Sequence, residues 1–297
     1  MAKHEPSAPL PVAVTAEWLN EHQDLGASVV LADVRWYLDG RSGHAAYVAG
    51  HLPDAVFVDM DTDLAGPGTA SGGRHPLPDP EEFATALGDL GIGDDTTVIA
   101  YDDSGGSTAA RLVWMLRVLG SPAALLDGGL QAWTGPLETG QVILRPRKRT
   151  PIPWPSDRIA DSDTVRAGLG DPAHVLLDAR ARERYTGESP APVDPQPGHI
   201  PGARSAPWQR NLTDAGHLAA PDVLRQHYTA LGADTARSVT AYCGSGVTSC
   251  LDLLALERAG FTGTRLYPGS WGAWAATPDL PVETGQAESE STGPGTT

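Results

Sequence analysis

The sequence predicts an α/β protein built from two similar domains, each a mostly parallel sheet flanked by helices. Three observations support this fold class. A chain of 297 residues is long enough for about two domains. Short apolar runs rich in β-branched residues alternate with longer helical patterns, which is the order of elements that forms parallel sheets. Four sequence motifs also occur twice in the same order, roughly 145 residues apart, as expected for a duplicated domain.

The repeated motifs give the order of elements within each copy. Each copy begins with an apolar strand that leads into an aspartate and an arginine. A Gly-His-[Leu/Ile]-Pro turn, a second apolar strand and a motif ending in tryptophan follow. In chain order the four pairs are 29–35 and 175–180, 50–55 and 198–203, 97–102 and 238–243, and 126–133 and 267–274. The order is the same in both copies with only small insertions, so we predict two copies of one whole domain.

Four segments between these motifs have the pattern of helices, namely 79–90, 108–119, 220–231 and 247–259. Asp79 suits the N-cap of the first helix, and Pro80 suits its first helical position. Gly120 and Gly260 follow the second and fourth helices, where glycine commonly ends a helix in the left-handed conformation. The helices therefore alternate with the strands, as the α/β fold class requires.

Composition indicates where the domains begin and end. We predict a first domain over residues 12–140, a linker over 141–158, a second domain over 159–282 and a flexible tail over 283–297. The proline-rich stretch 136–158 is typical of an extended linker. The tail is rich in Gly, Ser, Thr and Glu, a composition that buries little apolar surface. We expect the cationic run 145–149 in the linker to be solvated, the alternative being a docking patch for an acidic partner.

The charge and cysteine content exclude several classes of function. The chain has 21 Lys and Arg against 37 Asp and Glu, a formal net charge of −16, which argues against nucleic acid or an anionic membrane as a partner. Two cysteines cannot form a disulfide framework or a Cys-rich zinc module. There is no apolar run of about 20 residues, and the first residues lack the features of a secretory signal. We therefore expect a cytoplasmic protein without a bound metal or cofactor.

The two copies differ most after their second strand. The first copy continues as Asp-Asp-Ser-Gly-Gly-Ser over 102–107, whereas the second has Cys-Gly-Ser-Gly-Val-Thr-Ser over 243–249. Two glycines within four residues allow a tight loop whose N–H groups point inward at a helix N-terminus. Such a loop binds anions and lowers the pKa of a thiol. Cys243 is therefore a candidate nucleophile, and a buried structural cysteine is the less favoured alternative. We expect Cys250, inside the helix, to serve packing.

These motifs resemble the tandem rhodanese-type sulfurtransferases over roughly residues 12–282. The loop that begins at Cys243 is similar to the form found in 3-mercaptopyruvate sulfurtransferases. The resemblance implies that Cys243 takes a sulfane sulfur from 3-mercaptopyruvate or thiosulfate and becomes a persulfide. Cyanide, a thiol or a thioredoxin-like protein would then remove the sulfur, and a sulfur-relay protein is a further possible partner. The first copy lacks a nucleophile, so we expect it to be silent and to form a wall of the site.

The resemblance also implies roles for other residues. Ser245 would help to move a proton, and Arg184 would bind the anionic group of the donor. His51 is a candidate proton relay, although its counterpart His199 in the other copy favours a structural role for both. The remaining loop residues would hold the sulfur and the substrate: Gly244, Gly246, Val247, Thr248 and Ser249. We expect Arg180 to anchor local structure by pairing with a carboxylate.

One position departs from the pattern of the family. The mercaptopyruvate enzymes of the family have a second arginine nine residues after the first, and this sequence has Val193 there. Three other arginines are candidates to compensate for the loss: Arg182, Arg204 and Arg210.

Two other functions compete with this interpretation. A cysteine-dependent phosphatase would need an arginine six residues after the cysteine, where this sequence has Ser249, so we reject it. A non-enzymatic persulfide carrier, fed by a cysteine desulfurase, remains the alternative to a sulfurtransferase.

Overall fold

The computed structural model describes residues 10–21, 29–70 and 72–285, and the described chain contains two parallel sheets. The first sheet has the strand order β1-β5-β4-β2-β3. Its strands are β1 (Ala13–Val14), β2 (Val29–Asp33), β3 (Val56–Phe57), β4 (Thr97–Tyr101) and β5 (Ala123–Leu126). The central strands β2 and β4 pair over five residues, from Val29 opposite Thr97 to Asp33 opposite Tyr101.

The second sheet repeats this arrangement in the order β7-β6-β8-β9. Its strands are β6 (His174–Asp178), β7 (Arg204–Ser205), β8 (Ser238–Tyr242) and β9 (Thr264–Leu266). A single parallel bridge between Ile159 and Leu266 stands where β1 pairs with β5 in the first sheet. The predicted fold class, two α/β domains with parallel sheets, is therefore confirmed.

Helices connect the strands in both halves. They are α1 (Ala16–Glu21), α2 (Gly43–Ala49), α3 (Pro80–Asp89), α4 (Ala109–Val118), α5 (Gly129–Ala132), α6 (Ser162–Ala167), α7 (Arg182–Thr186), α8 (Pro221–Ala230), α9 (Ser249–Arg258) and α10 (Ser270–Ala276). Short 3₁₀ turns occur at Ser156–Arg158 and Trp208–Asn211. None of the described helices combines the length and the apolar composition that crossing a bilayer requires.

The residues predicted to begin and end three of the helices do so in the structure. The Asp79 carboxylate accepts the N–H of Glu81 at 2.8 Å, and Gly120 and Gly260 have φ values of +79° and +82° at the ends of α4 and α9. The fourth predicted helix begins at Ser249 instead of residue 247, because the residues before it form the loop around the cysteine sulfur.

The same buried polar contacts hold together the loops of both domains. Arg35 pairs with Asp33, and Arg180 pairs with Asp178, each with a shortest N–O distance of 2.6 Å. Each arginine also donates to a glycine carbonyl at 2.7 Å, and that glycine immediately precedes the histidine of the Gly-His turn. Charge-assisted hydrogen bonds of this kind are shorter and stronger than those between neutral groups. The expected anchoring role of Arg180 agrees with this geometry.

The two domains share one continuous apolar core. Helices α4 and α9, which follow the equivalent central strands β4 and β8, are buried along most of their length and pack against each other. Arg117 on α4 also pairs with Glu257 on α9. The loops that precede these two helices therefore lie near the junction of the domains.

The segment between the domains packs closely on the first domain. It contains no helix or strand over residues 141–155. The expectation of a fully solvated basic run is wrong at Arg149, which is buried and donates to the carbonyl of Gly93 at 3.2 Å and to the hydroxyl of Ser121 at 2.9 Å. Arg147 pairs with Asp95.

The first residue of the predicted flexible tail, Glu283, is part of the folded second domain. Glu283 exchanges backbone hydrogen bonds with His199, and residues 286–297 of the predicted flexible tail lie outside the described part of the chain.

Candidate active site

Cys243 lies directly after the central strand β8 and is only 2 % exposed. Its thiol sulfur accepts the backbone N–H of Gly246 at 3.1 Å, and its own carbonyl oxygen accepts the N–H of Trp271 at 2.9 Å. Gly246 has a φ of +78°, and a Cβ on it would lie 2.8 Å from the carbonyl oxygen of Pro268. Glycine is therefore required for the loop to turn its N–H groups toward the sulfur.

The loop favours the thiolate form of Cys243 in spite of burial. Burial raises the pKa of the thiol, but hydrogen bonds from the Thr248 hydroxyl and from the N–H groups of Ser245 and Ser249 outweigh it. The pKa of Cys243 therefore lies below the ordinary value of a thiol. Burial raises the pKa of Cys250 to about 12, so this second thiol stays protonated. The expected difference between the two cysteines agrees with this geometry.

A chain of polar groups runs from the cysteine loop into the first domain. The Ser245 hydroxyl lies 2.8 Å from Nδ1 of His75, and Nε2 of His75 lies 2.9 Å from a carboxylate oxygen of Asp61. The indole N–H of Trp36 donates to the other carboxylate oxygen of Asp61 at 3.1 Å. Burial lowers the pKa of His75, with Asp61 acting in the opposite direction, so the ring is neutral near pH 7. A neutral imidazole bonded through Nε2–H to Asp61 can accept the Ser245 proton at Nδ1.

The structure places the His51 side chain away from the cysteine loop. This side chain is fully buried in the first domain, where its ring stacks on Tyr47 with centroids 4.3 Å apart and its Nδ1 lies 2.8 Å from the carbonyl oxygen of Leu52. His199 stacks on Tyr185 in the second domain in the same way. Among the contacts of the described residues none joins His51 to the cysteine loop, and the histidine beside Ser245 is His75. Both Gly-His turns therefore use their histidine for packing.

Two arginines from different domains approach the first glycine of the loop. A Cβ on Gly244 would lie 3.0 Å from Nη2 of Arg74 and 3.1 Å from Nη2 of Arg184. Arg184 is held by Asp194, whose two carboxylate oxygens accept from Nε and Nη2 at 2.9 and 2.6 Å. Arg74, on the first domain, donates through Nη1 to the carbonyl oxygen of Val193 at 2.8 Å. Two guanidinium groups therefore lie at the entrance to the loop, and the charge of one of them is matched by Asp194.

A third arginine lies beneath the loop and is completely buried. Nη1 of Arg111, on α4, donates to the carbonyl oxygen of Gly246 at 2.9 Å, while Nη2 donates to that of His75 at 3.1 Å. Nη2 also approaches the carbonyl oxygens of Leu64 and Pro76 at 3.3 and 3.4 Å. Burial lowers the pKa of Arg111, yet a guanidinium remains charged in proteins. This single side chain therefore ties the His75 segment of one domain to the cysteine loop of the other.

Four residues of the site were missed by the sequence analysis: Asp61, Arg74, His75 and Arg111. All four lie in the domain that lacks a nucleophile. The available signal was the Gly-Gly-Arg-His-Pro segment over 72–76, which has no counterpart among the repeated motifs. Two candidates proposed to compensate for Val193 lie elsewhere. Arg204 donates to the carbonyl of Leu231, and Arg210 is exposed in the 3₁₀ turn that follows β7.

In the first domain a carboxylate fills the position of the thiol. Oδ1 of Asp102 accepts the N–H groups of Ser104 and Gly106, each at 2.8 Å. Oδ2 accepts the N–H groups of Thr108 and Ala109 at 2.8 and 2.9 Å, as well as the Thr108 hydroxyl at 2.9 Å. The anion-binding loop of the first domain is thus satisfied by its own side chain, which leaves no space for a substrate anion.

A cleft of about 420 Å³ lies beside the His75 end of this chain of polar groups. It is lined on the first domain by Trp36, Asp61, Arg74 and His75, and on the second by Val193.

The chain thus has two parallel-sheet domains of similar topology, with a thiol in the loop after the central strand of one and a carboxylate at the same place in the other. Comparison with known proteins identifies its class as that of the two-domain sulfurtransferases. The family model for the rhodanese-like domain matches the chain twice, over residues 15–136 and 161–277, and the chain belongs to the rhodanese family. The resemblance inferred from the motifs is confirmed.

The alignments with curated relatives extend over most of the chain. It is 43 % identical over 266 residues to a probable 3-mercaptopyruvate sulfurtransferase of Pseudomonas aeruginosa, a match covering 86 % of this chain and 93 % of the relative. It is 38 % identical over 284 residues to the putative thiosulfate sulfurtransferase SseB of Mycobacterium tuberculosis, covering 93 % and 98 %.

Among solved structures, SseA from Escherichia coli, described as one of the 3-mercaptopyruvate sulfotransferases, superimposes with a TM-score of 0.77 at 31 % identity. This match covers 88 % of this chain and 99 % of SseA. The chain is therefore a sulfurtransferase, and the alternative of a non-enzymatic persulfide carrier is not favoured.

Proposed function

We propose that the enzyme transfers the sulfur of 3-mercaptopyruvate to a nucleophilic acceptor through a persulfide on Cys243. The observation that carries this proposal is the hydrogen-bonded chain from Ser245 to His75 and Asp61 beside an activated thiol. These three side chains can transfer a proton beside the Cys243 sulfur, where the donor sulfur must lose one.

In the first half-reaction, the Cys243 thiolate attacks the sulfur of 3-mercaptopyruvate. The new S–S bond forms as the C–S bond breaks, and the electron pair of that bond goes to carbon 3 of the leaving pyruvate. Carbon 3 gains one proton, and the donor sulfur loses one. Ser245 passes this proton with His75 as its base, so no oxidant, reductant or cofactor is consumed.

The need for a proton distinguishes the two known types of donor. Thiosulfate transfers its outer sulfur and leaves as sulfite without a proton transfer. A relay of serine, neutral histidine and carboxylate is therefore useful for 3-mercaptopyruvate and superfluous for thiosulfate. The names of the Pseudomonas aeruginosa and Escherichia coli relatives support the same donor, whereas that of the Mycobacterium tuberculosis relative points to thiosulfate.

The loop stabilises the anionic persulfide without a metal. We assign to Gly244, Gly246, Val247, Thr248 and Ser249 the task of holding the sulfur atoms, mainly through backbone N–H groups. Gly246 N–H already contacts the sulfur, and the Thr248 hydroxyl favours its anionic form. Arg184, oriented by Asp194, would face the carboxylate of the donor.

In the second half-reaction, a nucleophile removes the outer sulfur of the persulfide and restores the Cys243 thiolate. Cyanide would leave as thiocyanate, and a small thiol or a thioredoxin-like protein would leave as a persulfide. A sulfur-relay protein would act as such an acceptor. We place this chemistry in the cytoplasm, where both cysteines remain reduced thiols.

The test is the initial rate of thiocyanate formation from cyanide with 3-mercaptopyruvate or thiosulfate as donor. We expect a large preference for 3-mercaptopyruvate, and a Cys243→Ser variant that folds but transfers no sulfur. Mass spectrometry of the donor-treated enzyme should find one added sulfur on Cys243. Preference for thiosulfate would contradict the assigned donor, and activity in Cys243→Ser would contradict the assigned nucleophile. Negligible turnover with both donors would support the carrier alternative.

A further inference from the structure

The last member of the polar chain, the carboxylate of Asp61, faces solvent. Its side chain is 61 % exposed, whereas that of His75, to which it is bonded, is only 6 % exposed. Water competes for an exposed carboxylate, and an exposed side chain can adopt several rotamers. The 2.9 Å contact with Nε2 of His75 would therefore hold the carboxylate weakly if it acted alone.

The indole of Trp36 contacts both the carboxylate and the imidazole. Its N–H donates at 3.1 Å to Oδ2 of Asp61, the carboxylate oxygen that does not contact His75. The ring of Trp36 is half-buried and meets the His75 ring edge to face, with centroids 5.3 Å apart and planes at 89°. With both oxygens of Asp61 engaged, the carboxylate is held in one orientation.

The backbone on both sides of this contact is fixed by local hydrogen bonds. Trp36 directly follows Arg35, whose backbone N–H and guanidinium both bind the buried carboxylate of Asp33 at the end of β2. The backbone N–H of Asp61 donates to a carboxylate oxygen of Asp59 at 2.8 Å. The indole is thus presented from a rigid segment, as a group that orients another must be.

The second domain shows that the fold itself does not require this tryptophan. The Asp-x-Arg motif of β2 and its loop recurs at Asp178 and Arg180, so the residue equivalent to Trp36 is Ala181. The same aspartate–arginine pair and the same parallel strand form there without an indole. The tryptophan therefore occurs in the copy that supplies His75 to the cysteine loop, which indicates a role at the site.

We propose that Trp36 is a positioning residue that fixes the tautomer of His75 by holding the carboxylate of Asp61. His75 then keeps its proton on Nε2 and presents an unprotonated Nδ1 to Ser245. If the carboxylate could turn into solvent, the neutral ring could carry its proton on Nδ1, where it would donate to the serine instead of accepting from it. The inference rests on the proposed function, since it concerns the base of that reaction.

The test compares Trp36→Phe, which removes the N–H and keeps an aromatic ring, with Trp36→Ala, which removes both. The matched control is Trp133→Phe. Trp133 is also half-buried, lines a different cavity of the first domain, and donates its indole N–H to the carbonyl oxygen of Pro136 at 3.0 Å. Circular dichroism and thermal unfolding establish that each variant is folded.

Two measurements are made on each protein. Heteronuclear NMR of the histidine ring nitrogens reports the tautomer of His75 in the resting enzyme near neutral pH, and its signals are assigned by their loss in His75→Asn. The kcat and KM are then determined with 3-mercaptopyruvate and with thiosulfate.

We expect His75 to carry its proton on Nε2 in the parent enzyme and to populate both tautomers in Trp36→Phe. The kcat with 3-mercaptopyruvate should fall about tenfold, the effect of losing one hydrogen bond to a charged group. Its KM should stay within about twofold, because the proton moves in the transition state and not on binding. The kcat with thiosulfate should change by less than about threefold in Trp36→Phe, since the transfer of its sulfur needs no proton. Trp36→Ala should lose at least as much activity with 3-mercaptopyruvate, and Trp133→Phe should behave like the parent enzyme.

Three results would overturn the inference. An unchanged His75 tautomer in both Trp36 variants would mean that Asp61 holds the ring without the indole. Equal losses with both donors would indicate a general disturbance of the cysteine loop. A higher KM for 3-mercaptopyruvate with an unchanged kcat would mean that Trp36 contacts the donor instead. The NMR measurement needs no donor, so a tautomer change in an enzyme that prefers thiosulfate would support the positioning role and contradict the proposed function.

Discussion

The proton relay predicts that His75 matters for one donor and not for the other. Substituting His75→Asn removes the base while keeping a polar side chain near Ser245, and His75→Ala removes both. In the structure His75 makes two hydrogen bonds, of 2.8 and 2.9 Å, and connects Ser245 to Asp61. General acid–base catalysis by one positioned side chain contributes about 10²- to 10⁴-fold. We therefore expect kcat/KM for 3-mercaptopyruvate to fall by that factor, equivalent to about 3–5 kcal/mol of transition-state stabilisation.

Thiosulfate provides the internal control, because its sulfur transfer requires no proton. Its kcat/KM should change by less than about threefold in both variants, since the thiol, the loop and the arginines remain in place. The assay is rapid-quench detection of pyruvate or sulfite release in a single turnover, with the Cys243 persulfide quantified by mass spectrometry.

The same histidine should set an acid limb in the pH profile. Burial lowers the pKa of His75, so the neutral base persists to a pH below the ordinary histidine value of 6.5. As the pH falls through this lowered pKa, the ring becomes protonated and can no longer accept the Ser245 proton. The rate with 3-mercaptopyruvate should then decline, and this limb should be absent in His75→Asn. Equal losses for both donors, or an unchanged acid limb in His75→Asn, would refute the relay.

Three further predictions concern the loops. Thr248→Val removes a hydroxyl that lowers the pKa of Cys243, so the pH midpoint of its alkylation by iodoacetamide should move upward. Asp102→Ala leaves the amide donors of the first-domain loop without an acceptor and should lower the free energy of unfolding by at least about 3 kcal/mol, measured by urea denaturation. Arg111→Met breaks the link between the His75 segment and the cysteine loop and should lower kcat/KM for 3-mercaptopyruvate about tenfold, with partial recovery in Arg111→Lys.

Each of these predictions has a contrary result. An unshifted alkylation midpoint in Thr248→Val would mean that the backbone N–H groups alone stabilise the thiolate. A loss of about 1 kcal/mol or less in Asp102→Ala would mean that water replaces the carboxylate without cost. Full activity in Arg111→Met would show that helix packing alone aligns the two loops.

The sequence was sufficient for the main features that depend on residues adjacent along the chain. Strand patterns, the Asp79 cap and the glycines that end α4 and α9 all act within a few residues, so their signals survive without tertiary information. The conformation of the cysteine loop also depends on residues adjacent along the chain. Its fold follows from glycines at fixed positions and from the strand and helix on either side, and Cys243 could therefore be singled out from its own segment.

The rest of the site could not be predicted, because it is assembled across the junction of the two domains. His75 and Ser245 are 170 residues apart in sequence, and Arg111 and Gly246 are 135 apart. No local pattern reveals which surface of the first domain faces the cysteine loop. Both roles of His51 stayed open in the sequence for this reason, since a Gly-His-Pro turn looks the same whether its histidine is packed inside a domain or lines a cleft.

The sequence by itself thus determined the duplicated α/β fold and singled out the loop of Cys243 as the candidate site. Local hydrogen bonding and backbone conformation fix both. Only the tertiary structure decided which groups lie around that cysteine. The packing of α4 against α9 brings the first domain's loops to the cysteine loop, and with them His75, Arg111 and Arg74. Burial at the junction then lowers the pKa of His75, a shift that depends on desolvation by residues distant in sequence.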